Sequence, residues 1–318
     1  MKIGILSYQH GPSEALIRCL KQDLGVTDVM IWQRGSDGAA HGESTVETFI
    51  NEVDGVIVLG HDECRFADVL QVLQLGKPLL CEPVIDMVDK DTRSLLAEAD
   101  KDEVLLIPAF PMRMSPVVGN LKDTIESGRL GEIVGVHGVS NTGVTTFWGE
   151  QVADENAFIR TTMHLVDTIL WLLQSDVKSV YGATTNLLTQ EKASNRVGSV
   201  QMVFDNGVIA GLASISPEAP PDTDDRNFSL SVVGTLGTCD MRAYGQRVEE
   251  RTKARTTILR YGDEPMVLLI SEFLRLVAGE DATSLQLPRF RDCARVGRVM
   301  QAIGRSTKTS TLVLSSIF

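Results

Sequence analysis

Short apolar runs alternate with segments of helical periodicity through the first hundred residues of the chain. The apolar runs have the length and composition of buried parallel strands and lie at 2–6, 28–32, 55–59, 79–81 and 104–109. Between them, apolar residues recur every three or four positions and predict helices that start near 12, 46, 66 and 91. This alternation predicts repeated βαβ units and a Rossmann-type, doubly wound parallel sheet.

The pattern changes after about residue 130. A strand is predicted at 133–141 and a long helix at 156–173, and further strands follow at 197–204, 208–215, 228–233, 248–253, 256–261 and 311–314. Two helices are predicted at 264–278 and 288–303, closed by Gly279 and Gly304. Strands in sequence with few helices predict an antiparallel, open-faced sheet. The fold class is therefore α/β followed by α+β.

Composition and charge narrow the function classes. The 318 residues suffice for two domains, and a net charge of −12 without a basic stripe argues against nucleic acid or an anionic membrane as a partner. No apolar run approaches the roughly 18 to 20 residues that span a bilayer, and the first strand begins too early for a signal peptide. Five scattered cysteines without a CxxC spacing are typical of reduced thiols. We therefore expect a cytoplasmic protein.

Polar loops follow the predicted strands of the parallel sheet at 7–11, 33–36, 60–65 and 82–85. Ligands of such sheets bind at the carboxyl ends of the strands, so we expect these loops to share one ligand-binding edge. His61 and Cys64 have a loose metal-ligand spacing, but zinc ligand sets are normally denser in sequence. No metal site is therefore predicted.

Five motifs in the same order resemble those of one family. The segment GKPLLCEP resembles the family's G-K-x-V-x-C-E-K-P, and later segments are similar to R-x-x-P, I-x-S-G-x-L-G-E-I and H-x-x-D…W-L; the matching residues are Gly76–Pro83, Arg113–Pro116, Ile125–Ile133, His164–Asp167 with Trp171–Leu173, and Asn206-Gly207 with Val233–Gly237. Over nearly its whole length the chain thus resembles the glucose–fructose oxidoreductase / inositol dehydrogenase / MocA family.

The resemblance implies a two-domain architecture and a redox activity. A Rossmann domain at 1–112 would precede a substrate domain at 113–287 with a large, mostly antiparallel sheet, and residues 288–318 would pack back near the first domain. The implied chemistry is hydride transfer between NAD or NADP and a sugar-like or polyol-like small molecule. Association through the open sheet face, as a homodimer or homotetramer, is also implied.

The first departure from the family pattern lies in the phosphate loop. The three glycine positions of G-x-G-x-x-G fall on Ser7, Gln9 and Pro12, although Gly11 can still turn the chain into the helix. The cofactor-binding residues that we predict are Ser7, Gln9, His10, Gly11, Pro12, Arg34, Gly60, His61, Asp62, Glu82 and Pro83. The alternative is that residues 7–11 are an ordinary strand-to-helix turn in a protein that binds no dinucleotide.

Two further departures concern the ribose and the nicotinamide. Arg34 stands near the end of the second strand, where NAD-binding folds usually carry an acidic residue, and favours a 2′-phosphate and hence NADP. An ordinary exposed arginine is the alternative. The family's Glu-Lys-Pro lysine, implied to lie near the nicotinamide and the substrate hydroxyl, is absent because Pro83 follows Glu82 directly.

The predicted catalytic residue is His164. Arg160 replaces the aspartate that the family often has four residues earlier, and helical spacing places Arg160, His164, Asp167 and Trp171 on one stripe. Asp167 could set the tautomer of His164, and a histidine is a suitable general acid or base. Arg113, Arg160 and Asp167 are the predicted substrate-binding residues, with arginine suited to a carboxylate or phosphate. The alternative for His164 is a histidine that only packs or caps.

Three functions remain open on the sequence. The first is an NAD(P)-dependent oxidoreductase that acts on a sugar-like or polyol-like hydroxyl or carbonyl. The second is a catalytically inactive relative that binds a nucleotide or sugar as a sensor or partner subunit, which the missing lysine and aspartate favour. The third is non-redox chemistry with a retained NAD.

Overall fold

The computed structural model describes residues 1–8, 12–34, 45–59, 65–83, 89–99, 105–141, 157–185, 197–215, 226–244, 247–251, 256–260, 264–280 and 287–314. These residues fall into two compact units. The first includes Met1–Pro111 and Leu269–Gln301, and the second includes Met112–Val144, Ala153–Leu268 and Ala302–Phe318. The sequence predicts that 288–318 joins the first domain, whereas the first unit takes Leu269–Gln301 and the last strand belongs to the second unit.

Parallel strands and their connecting helices form the first unit. In chain order they are β1 (Lys2–Tyr8), α1 (Glu14–Arg18), β2 (Asp28–Arg34), α2 (Val46–Asn51), β3 (Gly55–Leu59), α3 (Arg65–Gln74), β4 (Leu79–Cys81), α4 (Asp89–Ala99) and β5 (Leu106–Pro108). The strands pair in the order β2-β1-β3-β4-β5, and every pairing is parallel. The predicted parallel sheet is confirmed.

The remaining elements begin with a 3-10 turn at Pro111–Met114. They continue as α5 (Pro116–Glu126), β6 (Ile133–Asn141), α6 (Ala157–Leu173), β7 (Val177–Thr185), β8 (Val197–Phe204), β9 (Ile209–Ile215), β10 (Asn227–Gly234), β11 (Thr238–Arg242), β12 (Arg247–Arg251), β13 (Thr256–Arg260), α7 (Pro265–Val277), α8 (Phe290–Thr309) and β14 (Val313–Leu314).

Both faces of the parallel sheet are covered, which explains why its strands are apolar throughout. All residues of β3 are buried. A Cβ atom at Gly4 would lie 3.0 Å from Phe49 of α2, and one at Gly55 would lie 2.6 Å from Val277 of α7. Gly55 is the register partner of Ile3, so α2 and α7 contact opposite faces of the sheet.

The large sheet of the second unit has the strand order β11-β10-β6-β9-β8-β7-β14. Its neighbours pair antiparallel except β6 and β9, which pair parallel, so the predicted mostly antiparallel sheet is confirmed. α6 packs on β6 and β9, where Leu165 approaches Gly138. The opposite face exposes apolar side chains, among them Tyr181, Ile209 and Val233.

The two C-terminal helices end differently from each other. Gly279 has φ +81° directly after α7 and closes that helix as expected. Gly304 does not end α8, which continues to Thr309, and Ser310 with φ +55° follows the end. The prediction of a helix end at Gly304 is wrong because the buried stripe continues past it through Ser306, and an interior glycine costs only about 1 kcal/mol.

Replacement of Gly55 tests the packing of α7 on the parallel sheet. We expect Gly55→Ala to lower the free energy of unfolding by about 1–3 kcal/mol, because the added methyl group overlaps the stiff side chain of Val277 and the buried ring of Phe273. Urea unfolding measured by circular dichroism gives this difference. Gly135→Ala is the matched control in a strand, since a Cβ there would lie 3.7 Å from its nearest neighbour, the Ile209 carbonyl oxygen. An equal effect of both substitutions would contradict the packing.

Candidate functional site

The carboxyl edge of the parallel sheet brings several of the predicted cofactor residues together. Ser7 is the register partner of Gln33 in β2 and of Leu59 in β3, and Tyr8 is the partner of Arg34. β1 therefore lies between strands that the chain reaches in opposite directions, which is the switch point where open parallel sheets bind ligands. Only the backbone of Arg34 lies within the described part of the chain.

The last two residues of β1 are both buried. Ser7 is 1% exposed, and within the described part of the chain its Oγ meets no hydrogen-bond partner. The Tyr8 hydroxyl donates a hydrogen bond of 2.6 Å to Oδ2 of Asp68 in α3. This bond fixes the end of β1 to a neighbouring helix. A buried hydroxyl at the switch point matches the chemistry of a polar ligand group.

Three other predicted cofactor residues lie at the same edge or close to it. Glu82 and Pro83 follow β4 and are buried, and the Glu82 N–H donates to the Val58 carbonyl oxygen at 3.2 Å. Pro12 precedes Ser13, whose hydroxyl caps α1 by accepting from the Leu16 N–H at 3.0 Å. The predicted residues that lie outside the described ranges are Gln9, His10, Gly11, Gly60, His61 and Asp62.

In the second unit, α6 carries the predicted catalytic histidine. His164 is partly buried, and its burial lowers its pKa to about 4. The imidazole is therefore neutral at pH 7 and able to accept a proton. Arg160 lies one turn earlier on α6 and is also partly buried, so a guanidinium and a neutral imidazole share one helix stripe.

Asp167, on the same stripe, is held by Arg113 from the 3-10 turn. Arg113 Nε donates to Oδ2 at 3.0 Å and Nη2 donates to Oδ1 at 2.6 Å. Both side chains are almost fully buried, at 4% and 1% exposure. The structure thus brings Arg113 and Asp167 together as a two-point ion pair, and their predicted contacts with substrate stay predictions.

Two cations, Arg113 and Lys122, lie over the ring of Trp171. Lys122 Nζ of α5 lies 4.7 Å from the ring centroid and Arg113 Cζ lies 5.8 Å from it, within the range of cation–π attraction. Lys122 also donates to the Trp171 carbonyl oxygen at 3.2 Å. We name Arg113, Asp167, Trp171 and Lys122 the Asp167 cluster.

Sequence reasoning missed Lys122 and Asp68. Asp68 carried a usable signal, because it is a carboxylate directly before Val69 in the buried stripe of α3, and a buried carboxylate needs a hydrogen-bonding partner. Lys122 carried none, since a lysine on α5 is typical of an exposed helix face.

Metal and membrane features were searched over the same described ranges. No group of three or more His, Cys, Asp or Glu side chains there is arranged to hold a metal ion, and His61 and Cys64 lie outside those ranges. None of the described helices is both long and apolar enough to cross a membrane.

Comparison with known proteins supports the resemblance. The family model of the GFO/IDH/MocA C-terminal domain matches residues 118–240. Inositol 2-dehydrogenase 1 of Saccharopolyspora erythraea is 24% identical over 77% of this chain and 68% of its own length. Inositol 2-dehydrogenase of Rubrobacter xylanophilus is 26% identical over 64% of this chain and 61% of its own length. The match therefore spans less than two thirds of that relative.

The second unit therefore resembles the C-terminal domain of the GFO/IDH/MocA family over residues 118–240.

Solved structures show the same two-part fold. Myo-inositol dehydrogenase of Lactobacillus casei, in complex with NAD(H) and myo-inositol, superposes with a TM-score of 0.77 at 16% identity over 99% of this chain and 96% of that chain. A putative myo-inositol dehydrogenase of Sinorhizobium meliloti 1021 gives a TM-score of 0.72 at 17% identity over 99% of both chains.

Two positions depart from the family motif that the chain resembles. Pro83 directly follows Glu82 where the motif has an intervening lysine, and it is buried after β4. In the second unit, Arg160 stands one turn before His164, where the motif often has an aspartate. The motif's histidine is present as His164.

The low pKa of His164 predicts a specific dependence of stability on pH. In the unfolded chain the imidazole titrates near 6.5, so between about pH 6.5 and 4 the unfolded state binds the extra proton. Stability from neutral His164 is therefore complete above pH 6.5 and is lost as the pH falls to about 4. We expect the wild type to lose roughly 3 kcal/mol more than His164→Gln between pH 7 and pH 4.

Urea unfolding at several pH values measures this difference. His137→Gln is the matched control, because His137 is an exposed histidine on β6, and this variant should keep the pH dependence of the wild type. Parallel stability curves for the wild type and His164→Gln would contradict a neutral, buried imidazole.

Proposed function

We propose that the protein is an NAD(P)-dependent oxidoreductase that acts on a hydroxyl or carbonyl group of a sugar-like or polyol-like small molecule. The observation that carries this proposal is the position of His164 on α6 beside Arg160, because an imidazole that is neutral at pH 7 can accept a proton. The match of residues 118–240 to the GFO/IDH/MocA C-terminal domain supports it. The inositol dehydrogenase names of the relatives support the polyol class.

The cofactor would lie at the carboxyl edge of the parallel sheet. The residues that would hold it are Ser7, Gln9, His10, Gly11, Pro12, Arg34, Gly60, His61, Asp62, Glu82 and Pro83. The buried Ser7 hydroxyl fits a polar cofactor group there, and a solved neighbour binds NAD(H). NAD(P) would supply the hydride chemistry. Arg34 at the end of β2 favours NADP over NAD, because a guanidinium matches a 2′-phosphate.

His164 would hold or accept the proton of the reacting hydroxyl at its imidazole. Arg160, one turn away, would orient the substrate and would suit a carboxylate or phosphate on it. Because Pro83 directly follows Glu82 and the lysine of the family motif is absent, His164 would act alone or through water.

We also propose that the protein forms a homodimer or homotetramer through the open face of the large sheet. The apolar residues exposed on that face include Tyr181, Ile209 and Val233, at 42%, 49% and 42% exposure. A cytoplasmic location is proposed as well, since Cys19, Cys81 and Cys293 are buried as reduced thiols.

Cofactor binding and turnover test the function directly. We expect NADH or NADPH to bind below millimolar concentrations, seen by cofactor fluorescence, and oxidation of at least one member of a panel of polyols, aldoses and their acidic derivatives. His164→Asn should lower kcat by about 100-fold or more with nearly unchanged cofactor affinity, because the proton acceptor is lost.

His137→Asn is the control and should keep nearly full activity, because His137 lies on the face of the large sheet opposite to α6. Gel filtration of this variant checks its oligomeric state, since that face is the one proposed to associate. Absence of binding to either cofactor would refute the proposal. Binding without turnover would instead indicate a catalytically inactive relative. The missing lysine and Arg160 in place of aspartate are the sequence features that favour this second candidate function. Turnover that survives in His164→Asn would refute the role of His164.

The predicted NADP preference rests on Arg34. We expect Arg34→Ala to weaken NADPH binding about tenfold and to leave NADH binding nearly unchanged, because only NADPH carries the 2′-phosphate. Fluorescence titration with both cofactors measures the ratio. Arg18→Ala, at an exposed arginine on α1, is the matched control. Equal losses for the two cofactors would contradict a 2′-phosphate contact.

A further inference from the structure

A buried hydrogen bond joins the end of β1 to the first turn of α3. The Tyr8 hydroxyl donates to Oδ2 of Asp68 at 2.6 Å, and the two residues are 1% and 4% exposed. Residues 9–12 follow Tyr8 directly, and residues 60–64 lie between β3 and the helix that carries Asp68. Both segments contain predicted cofactor-binding residues. The bond therefore connects the two elements from which these segments start and end.

Backbone pairing attaches the last residue of β1 on one side. Within the described residues, the pairing of β1 with β3 ends at Ser7 and Leu59, and Tyr8 continues the pairing with β2 at Arg34. Toward β3 the Tyr8 side chain makes the connection, because its hydroxyl reaches the helix that follows that strand. The bond thus sets the position of the last β1 residue relative to α3.

Attachment of α3 to the sheet does not require this bond. Val69, Val72 and Leu73 form a buried apolar stripe on α3, at 0%, 0% and 1% exposure, and their burial stabilises the packing without a preferred direction. An apolar pair in place of the two polar groups can be nearly neutral for stability. A hydrogen bond differs in that it fixes distance and angle. The pair between Tyr8 and Asp68 therefore contributes alignment beyond what the apolar stripe supplies.

We propose that Asp68 is a positioning residue of the cofactor site: through its bond with Tyr8 it couples the segment 9–12 to the segment 60–64. A cofactor at the carboxyl edge of the sheet would then meet both segments in one fixed arrangement. The statement about the cofactor rests on the proposed function. The statement that the two segments are coupled does not.

Tyr8→Phe tests the bond with the smallest change, because it removes one hydroxyl and keeps the ring. We expect the Kd of NADH and that of NADPH to rise alike, by about tenfold, because neither partner of the bond is proposed to contact the 2′-phosphate. Asp68→Asn keeps an oxygen that accepts from Tyr8 and should bind both cofactors within about threefold of the wild type. Cofactor fluorescence of the full-length protein measures these values. Where the protein is active, Tyr8→Phe should raise the KM of the cofactor and leave kcat nearly unchanged.

Tyr8→Phe combined with Asp68→Leu separates positioning from stability. Both polar partners become apolar, so urea unfolding should stay close to that of the wild type, while the cofactor Kd should remain raised about tenfold. Ser306→Ala is the matched control in the second unit, because the buried Ser306 hydroxyl accepts from the Gly182 N–H at 2.9 Å and donates to the Thr311 carbonyl oxygen at 2.6 Å. This control should lower stability without changing the cofactor Kd.

Amide hydrogen exchange gives a second measurement that needs no cofactor. In Tyr8→Phe, the peptides 5–16 and 57–70 should both exchange faster than in the wild type, because the bond holds the elements on both sides together. Ser306→Ala should leave the exchange of both peptides unchanged.

The two measurements distinguish a failure of the coupling from a failure of the proposed function. A stable double variant with a raised cofactor Kd supports the positioning role, and a double variant that binds both cofactors like the wild type overturns it. Faster exchange in neither peptide, or in one alone, overturns the coupling. If the wild type binds neither cofactor, the proposed function fails and the exchange result decides the coupling. If Tyr8→Phe does not fold, the double variant decides in both measurements.

Discussion

The buried ion pair between Arg113 and Asp167 is the constraint on which the arrangement around α6 in the second unit depends. A carboxylate with 1% exposure needs a partner and well-formed hydrogen bonds, because its desolvation is otherwise not offset. Arg113 supplies both through two parallel bonds. The pair joins the 3-10 turn at Pro111–Met114 to the middle of α6, and Lys122 over Trp171 adds α5 to the same cluster. The helix stripe that carries His164 is thereby fixed.

The parallel sheet illustrates why much of the fold could be predicted. Strands buried on both faces must be apolar throughout, so β1, β3 and β4 stand out in the sequence as short apolar runs. β7 is not predicted by the sequence pattern, because a register shift between Val177 and Ser179 interrupts its alternation and Ser179 and Gly182 occupy buried positions. Gly304 gave a wrong helix end for a related reason. The burial of one stripe of α8 decides where this helix ends, and an interior glycine does not end it.

The sequence indicates which residues belong to the candidate site, but it does not indicate which of them bond to each other. Motif spacing pointed to Arg113, His164 and Asp167, but the sequence treated Arg113 and Asp167 as separate substrate ligands. Nothing in the spacing of 54 residues between them indicates that they bond to each other. The bond between Tyr8 and Asp68 was hidden for the same reason, since the partner of a buried polar group is chosen by the fold.

Burial leaves the His164 imidazole uncharged but makes it a weak base. Burial keeps its imidazole neutral at physiological pH, so nearly every molecule can accept a proton, yet a pKa of about 4 makes the acceptor weak. The lysine of the family motif is absent between Glu82 and Pro83, and Arg160 stands where the motif often has an aspartate.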